Sequence, residues 1–326
     1  MTVRRTSLPA ALIGTTFRPA RPADLPECGA IWRDSLNDYL GRLNQPGVPD
    51  ELGPLGRLHA HFLATDPDRF VVATVPAGDD ERLVGFGSAV ERDPIWFLSM
   101  LFVRPEAQGQ GLGRAILERL LPAPTFGGRL ATVVDSLQPV STALYATYGI
   151  APRMPIVGMV GEIHRPEAFP DLPSGVVGDP FDAIADGPPG GAGHRELAEV
   201  VNALDRELLG AEHPQDHRFL RTEGRHGFLY RGPAGTVLGY GYAGEVGRVG
   251  PVAVRDAALL EAVVGHLIAS VPARGARAIW APGAALSLMP TLLAAGLRTD
   301  EFPLLVCWDQ PFADFGRYLP ISPGLL

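Results

Sequence analysis

The stretch that most limits what this chain can become runs from Ile95 to Leu121. Ile95 to Val103 is apolar at every position except Ser99, which predicts a central strand buried on both faces. Glycines follow at 109, 111 and 113, and Arg114 to Leu121 then reads as a helix. A buried strand, a glycine-rich turn and a helix, in that order, let backbone N–H groups approach a ligand closely. The helix mouth adds a positive dipole end that suits a pyrophosphate, and Arg114 places charge at the same point.

The elements around this segment can be read in outline. Ala23-Asp24 starts a helix with Leu25, Ile31, Trp32 and Leu36 on one face. Residues 44–56, with three prolines and three glycines, read as a loop before a short helix at Leu58 to Ala64. Strands at Phe70 to Val75 and Leu83 to Val90 flank the turn Ala77-Gly78-Asp79-Asp80, as in a hairpin. A strand at Ala131 to Asp135 and a helix through Ser141 to Tyr148, stopped by Gly149, complete the first half.

The second half repeats that order. A helix at Arg195 to Leu209 precedes strands near Gly227 to Arg231, Val237 to Ala243 and Val249 to Val254. A helix at Asp256 to Ser270, a strand at Ala278 to Ala281 and a helix at Leu286 to Ala295, ended by Gly296, follow. The pairs Val103-Arg104 with Val254-Arg255, and Gly149-Ile150 with Gly296-Leu297, point to an internal duplication. The expected division is a loose tail over 1–14, a domain over 15–163, a Pro- and Gly-rich linker over 164–193 and a second domain over 194–326.

Several readings of the glycine segment compete. A turn with no ligand is one, since a lone Gly-x-Gly is weak evidence. A P-loop is excluded by the missing Lys-Ser/Thr. A dinucleotide-binding turn would want Gly-x-Gly-x-x-Gly near the start of a βαβ unit, whereas the spacing here is Gly-x-Gly-x-Gly after two helices and two strands. The run Val103-Arg104-Pro105-Glu106, followed by Gln108-x-x-Gly111-x-Gly113, resembles the signature of the GNAT acetyltransferase family. A second stretch, Leu144-Tyr145-Ala146-Thr147-Tyr148-Gly149-Ile150, is similar to that family's Leu-Tyr-x-x-x-Gly-Phe helix end. The resemblance covers roughly residues 15–160 by motif, and the remainder by element order.

The resemblance implies an α/β (α+β) fold of two GNAT-like domains, each a mixed, mostly antiparallel central sheet flanked by helices. It implies acetyl-CoA as co-substrate and an N-acetyltransferase acting on a primary amine of a small molecule or peptide by direct attack. Leu101, Phe102 and Val103 would offer main-chain groups to the pantetheine arm. Gln108, Gly109, Gln110, Gly111, Leu112, Gly113 and Arg114 would cradle the pyrophosphate. Tyr145 would be the general acid for the thiolate, although a helix tyrosine can equally be a core aromatic. Family members often carry a glutamate on the fourth strand, and here Ser99 is the only polar side chain from Ile95 to Val103. Ser99 would hold a water or be a buried hydroxyl, with Glu91 and Asp93 as more distant bases. The family's asparagine and terminal phenylalanine are replaced by Gln138 and Ile150. In the second half Leu292 stands where Tyr145 does, and Asp256 caps a helix where a pyrophosphate would lie, so that half reads as degenerate. The alternative is a non-catalytic acyl-CoA-binding or regulatory protein that retains the loop.

Composition narrows the partners. All 28 basic residues are arginines against 36 acids, for a net charge of −8, which argues against a nucleic-acid surface. No apolar run is long enough to span a bilayer. Cys28 and Cys307 read as free buried thiols in a reducing compartment, so a cytoplasmic protein is expected; a homo-oligomer is compatible with the sequence. His213 and His217 stand four apart beside Glu212 and Asp216, but Pro214 argues against a regular helix there, and no metal is expected.

Overall fold

The structure is a computed structural model that describes residues 14–48, 50–185, 190–300 and 302–325; most of the expected N-terminal tail therefore lies outside the described residues. The chain separates into two compact units. One takes residues up to Glu91 together with Trp96–Gly127, and the other takes Arg92–Ile95 together with Gly128 onward.

The first unit holds β1 (Thr16–Pro19), α1 (Leu25–Arg42), α2 (Gly53–Thr65), β2 (Phe70–Ala77), β3 (Asp80–Arg92), β4 (Ile95–Val103) and α3 (Leu112–Leu120). Its sheet runs β1-β2-β3-β4, and β2 meets both β1 and β3 antiparallel. Ala77 faces Asp80 across a two-residue turn in which Gly78 takes a φ of 67°, as the hairpin reading expects. Helix α2 starts five residues before the expected Leu58, because Pro54 occupies its first turn, where a missing N–H costs nothing.

Side chains alternate across the sheet and define two interfaces. On one, Phe86 and Phe102 stack at 5.8 Å, Trp32 meets Phe102 edge-on at 6.4 Å, and His59 sits edge-on to Phe70 and Phe86. On the other lies α3, drawn close by two glycines of β3. A Cβ on Gly87 would lie 2.7 Å from Leu120 Cδ1 and 2.8 Å from Ile116 Cγ2. The far end of α3 is held by its last carbonyl, Leu120 O, which accepts from Trp96 Nε1 at 3.0 Å and Arg69 Nη1 at 3.3 Å.

His59 is wholly buried, with Nε2 3.1 Å from Met100 Sδ, and burial pushes its imidazole down to about 4. Its folded value thus lies below that of an unfolded histidine, near 6.5. Between those values the unfolded chain binds a proton that the native protein refuses, so stability falls as pH falls through that window. His59→Leu is expected to flatten this loss: from pH 7 to 4.5 the wild type should lose about 2–3 kcal/mol more than the variant. Urea unfolding at both pH values measures it, and parallel profiles would remove His59 as the cause.

The second unit holds β5 (Arg129–Asp135), α4 (Pro139–Ala146), β6 (Ala151–Gly161), β7 (Val177–Pro180), α5 (Phe181–Ile184), α6 (Ala192–Leu208) and α7 (Pro214–Thr222). It continues with β8 (Arg225–Arg231), β9 (Val237–Gly244), β10 (Arg248–Val254), α8 (Leu260–Ser270), β11 (Arg277–Pro282), α9 (Met289–Ala295), β12 (Arg298–Thr299), β13 (Leu304–Trp308) and β14 (Tyr318–Leu319). From β7 to α9 the element order repeats that from β1 to α4, with the added short α5, as a duplication requires. The sheet order is β5-β13-β6-β11-β10-β9-β8-β7. Only β10 and β11 pair parallel among these registered neighbours, joined by α8 as the crossover.

Several features differ from the sequence reading, which expects no strand over β6. The Pro- and Gly-rich stretch expected as a linker carries β7, whose Val177 to Pro180 pair with Arg231 to Phe228; Pro180 sits at the strand end, where a missing donor is tolerated. The strand β13, absent from the reading, lies between β5 and β6, with Val306 opposite both Val133 and Met154. β6 in turn pairs with β11 through six positions, Arg277↔Gly161 to Pro282↔Ile156. The last long strand of each repeat is therefore hydrogen-bonded to the corresponding strand of the other, and the compact units do not follow the repeat boundary.

Candidate functional site

The glycine segment takes the form that the strand–turn–helix order predicts. A single 3-10 turn, Pro105–Ala107, leaves β4, and the loop reaches α3 through two left-handed residues, Gly109 at φ 75° and Gly111 at φ 83°. Gly111 is the N-cap of α3, so the helix begins at Leu112, two residues before the expected Arg114. Only glycine enters that region without steric cost. Gln108, Gly109, Gln110, Gly111 and Arg114 are exposed, while Leu112 is buried and anchors the first turn. A Cβ on Gly109 would meet nothing within 4 Å, so the backbone faces open space on that side. The loop brings bare main chain and the positive end of α3 to one surface, which is an anion-binding arrangement.

The base of the loop is pinned by side chains. Val103 O accepts from Ser35 Oγ at 2.9 Å and from Gln108 Nε2 at 2.9 Å. Gln108, expected at the ligand, thus has its amide folded back onto β4. Gln110 Nε2 reaches Glu106 O at a long 3.4 Å. Arg104 ties the strand end to α1: its Nε donates to Leu83 O at 2.9 Å, and its guanidinium pairs with Asp34 and Glu27.

Leu101 and Val103 face α3, since they crowd the positions where Gly87 and Gly85 would carry a Cβ. Phe102 faces the aromatic cluster. Ser99 shares the parity of Leu101, and its Oγ is buried with no hydrogen-bond partner among the described residues. Leaving such a hydroxyl unpaired costs about 1–3 kcal/mol, so this position favours a water or a ligand's polar group. Glu91, weighed as a distant base, is engaged elsewhere: Arg69 Nη2 lies 2.9 Å from its carboxylate.

Tyr145 stands within the second unit, on the last turn of α4, with 6% of its surface exposed. Burial pushes its phenol well above the ordinary tyrosine range, and a hydrogen bond with Ser141 offsets part of that rise. The hydroxyl is therefore protonated at any physiological pH. Gly149, at φ 85°, turns the chain out of the helix, and Ile150 N returns to Tyr145 O at 3.2 Å.

The matching positions of the second repeat lack this chemistry. Asp256 Oδ1 accepts from Ala258 N at 3.0 Å, the N-cap expected from the sequence, and so puts a carboxylate at the helix mouth. Leu292 is fully buried in the unit's apolar core.

Comparison with known proteins agrees with this geometry. Residues 31–150 match the model of the acetyltransferase (GNAT) family. A candidate acetyltransferase of Pyrococcus horikoshii superposes with a TM-score of 0.70 at 15% identity, over 96% of each chain. A GCN5-related N-acetyltransferase from Sphaerobacter thermophilus gives 0.59 at 17% identity, over 95% of this chain and 100% of that one. A tandem GNAT protein from the clavulanic acid biosynthesis pathway gives 0.52 at 18%, over 91% and 99%. At such identities the likeness is one of fold. No curated protein matches the chain by sequence. Residues 31–150, which include the loop and the tyrosine helix, thus match the GNAT acetyltransferase family, and nearly the whole chain shares the fold of a tandem GNAT protein.

Proposed function

We propose that the protein transfers the acetyl group of acetyl-CoA to a primary amine of a small molecule or peptide, with residues 15–163 as the catalytic half and 194–326 as a degenerate partner. The observation that carries this reading is the pair of left-handed glycines, 109 and 111, opening onto the mouth of α3. Backbone N–H groups from Gly109 to Arg114 hold the pyrophosphate, and main-chain groups of Leu101, Phe102 and Val103 hold the pantetheine arm. The neutral amine attacks the thioester carbonyl, the tetrahedral adduct expels the coenzyme A thiolate, and Tyr145 donates its phenolic proton to that sulfur. Ser99 contributes its unsatisfied hydroxyl to a water that takes the proton lost by the amine. Both cysteines are free, and burial pushes each thiol up to about 12. That leaves them unreactive. Among the described residues no helix is long and apolar enough to cross a membrane.

The absence of an acid from Ile95 to Val103 and the pairing of Glu91 with Arg69 favour a second reading, a non-catalytic acyl-CoA binder. Thiol release from acetyl-CoA over polyamines, aminoglycoside-like amines, amino acids and peptide N-termini separates the two, alongside calorimetric titration with coenzyme A. Turnover with one acceptor class is the expected result. Saturable coenzyme binding with no turnover on any amine would favour the binder, and no coenzyme binding would end both readings.

A further inference from the structure

The second unit contains a cluster of polar side chains that the acetyltransferase reading leaves unused. Asp205, near the C-terminal end of α6, and His217, on the first turns of α7, are buried together with His213, which immediately precedes α7. Pro214, read from the sequence as breaking a helix here, instead occupies the first helical position of α7, where proline is favoured. The helix therefore begins between the two histidines, and both imidazoles turn toward α6. His217 Nε2 lies 2.7 Å and His213 Nε2 3.3 Å from the same atom, Asp205 Oδ2.

Each of these three groups has an outer partner facing its other polar atom. Asp205 Oδ1 accepts from Tyr240 Oη at 2.5 Å. His217 Nδ1 lies 3.1 Å from Tyr242 Oη. His213 Nδ1 faces Asp216 Oδ2 at 3.5 Å, and Arg92 clamps that carboxylate through two contacts of 2.7 and 2.8 Å. Outer partners of this kind orient imidazole and carboxylate ligands around metal ions and set which ring nitrogen is free to coordinate. The second, independent observation is His213 itself. It is 1% exposed, and neither ring nitrogen makes a hydrogen bond of acceptable geometry among the described residues.

We propose that Asp205, His213 and His217 form a buried site for a divalent first-row metal ion, with Zn²⁺ as its natural occupant and a water as the fourth ligand. One ligand atom from each residue lies within 4.8 Å of the other two, and Asp205 Oδ2 is the atom that both Nε2 atoms approach. A tetrahedral zinc site with bonds near 2.0–2.1 Å has ligand-to-ligand edges of roughly 3.3 Å. The His213 edge already has that length, and the His217 edge needs to open by about half an ångström. The mixed imidazole and carboxylate set suits zinc and its neighbours and not calcium or magnesium. With the ligands drawn from α6 and the start of α7, the ion would pin the two helices together, and its binding would be linked to folding.

The test uses the full chain and the metal alone. Protein prepared with chelator and then titrated with Zn²⁺ is expected to bind one equivalent and to gain several degrees in melting temperature. Co²⁺ in its place should give the visible ligand-field absorption of a tetrahedral site. His217→Gln and Asp205→Asn should abolish the stoichiometric binding. Because either change in so buried a site can impair folding, Asp216→Asn supplies a milder outer-partner variant, expected to weaken metal affinity about 10- to 100-fold. His266→Gln, a histidine outside the cluster, should bind as wild type does. Unchanged melting with Zn²⁺, or equal metal uptake by wild type and His217→Gln, would overturn the proposal and leave the cluster as a buried ion-pair network only. Both readouts are independent of acetyl transfer, so failure here would not bear on the catalytic reading.

Discussion

Gly111→Val is expected to raise the dissociation constant for coenzyme A at least tenfold while leaving the protein folded. Gly111 has a φ of 83° and a ψ of 2° as the N-cap of α3. A left-handed conformation costs an ordinary residue about 1–2 kcal/mol, and β-branched side chains are the least tolerant. The exposed loop can relieve that strain by rotating its peptide planes, whereas the buried body of α3, anchored by Leu112, Ile116 and Leu120, cannot follow. Rotation aims the N–H groups away from the anion, and each tenfold loss corresponds to about 1.4 kcal/mol. Gly111→Asn is the control, because asparagine visits the left-handed region at lower cost; it should lose less affinity than the valine variant. Calorimetric titration of both variants checks this. Wild-type affinity in Gly111→Val would mean that the pyrophosphate does not lie on this loop.

Tyr145→Phe should lower kcat for acetyl transfer by about 100-fold or more, with little change in KM for acetyl-CoA. General acid catalysis by a positioned group typically contributes factors of about 10²–10⁴. Because burial raises the phenol's pKa, the proton is present throughout the neutral range, and the wild-type rate should show no alkaline decline from this group near pH 8–9. Phenylalanine fills the same buried space and forgoes only the contact with Ser141, a loss of about 0.5–1.5 kcal/mol. A thermal melt distinguishes lost chemistry from lost fold. Equal kcat in the two proteins would remove Tyr145 from the mechanism and leave it a core aromatic.

Much of the first unit was legible because its signals are local. The hairpin β2–β3 follows from two apolar runs flanking the turn at Gly78-Asp79, and β4 from an apolar run interrupted only by Ser99. The loop follows from glycines at the two positions where φ is positive. The cap at Asp256 was equally readable, since a short acid before Ala-Ala-Leu-Leu meets the N–H groups next to it in the chain. Helix starts are less legible where proline or glycine opens the helix, at Pro54 and Gly111, and α7 is hidden because Pro214 reads as a breaker in the sequence and is the first residue of the helix in the structure.

Other features had no local signature. Gly85 and Gly87 look like ordinary strand interruptions until α3 is seen pressed against them. Glu91 looked available as a base until Arg69 was found beside it. Asp205 reads as one more helix-surface acid, and only folding brings its Oδ2 to the histidines of the next helix.

The sequence by itself determined much of the order of elements, the glycine turn and the repeat, because hydrophobic period, glycine torsion and helix capping act over a few residues. Tertiary structure decided which strands pair and which charges meet. β13 sits between β5 and β6 because pairing between strands so far apart in the chain, such as Leu304 with Asp135, is selected by the burial of whole faces. His213 and His217 stand four apart in the sequence, but only the packing of α7 against α6 brings Asp205 Oδ2 to both.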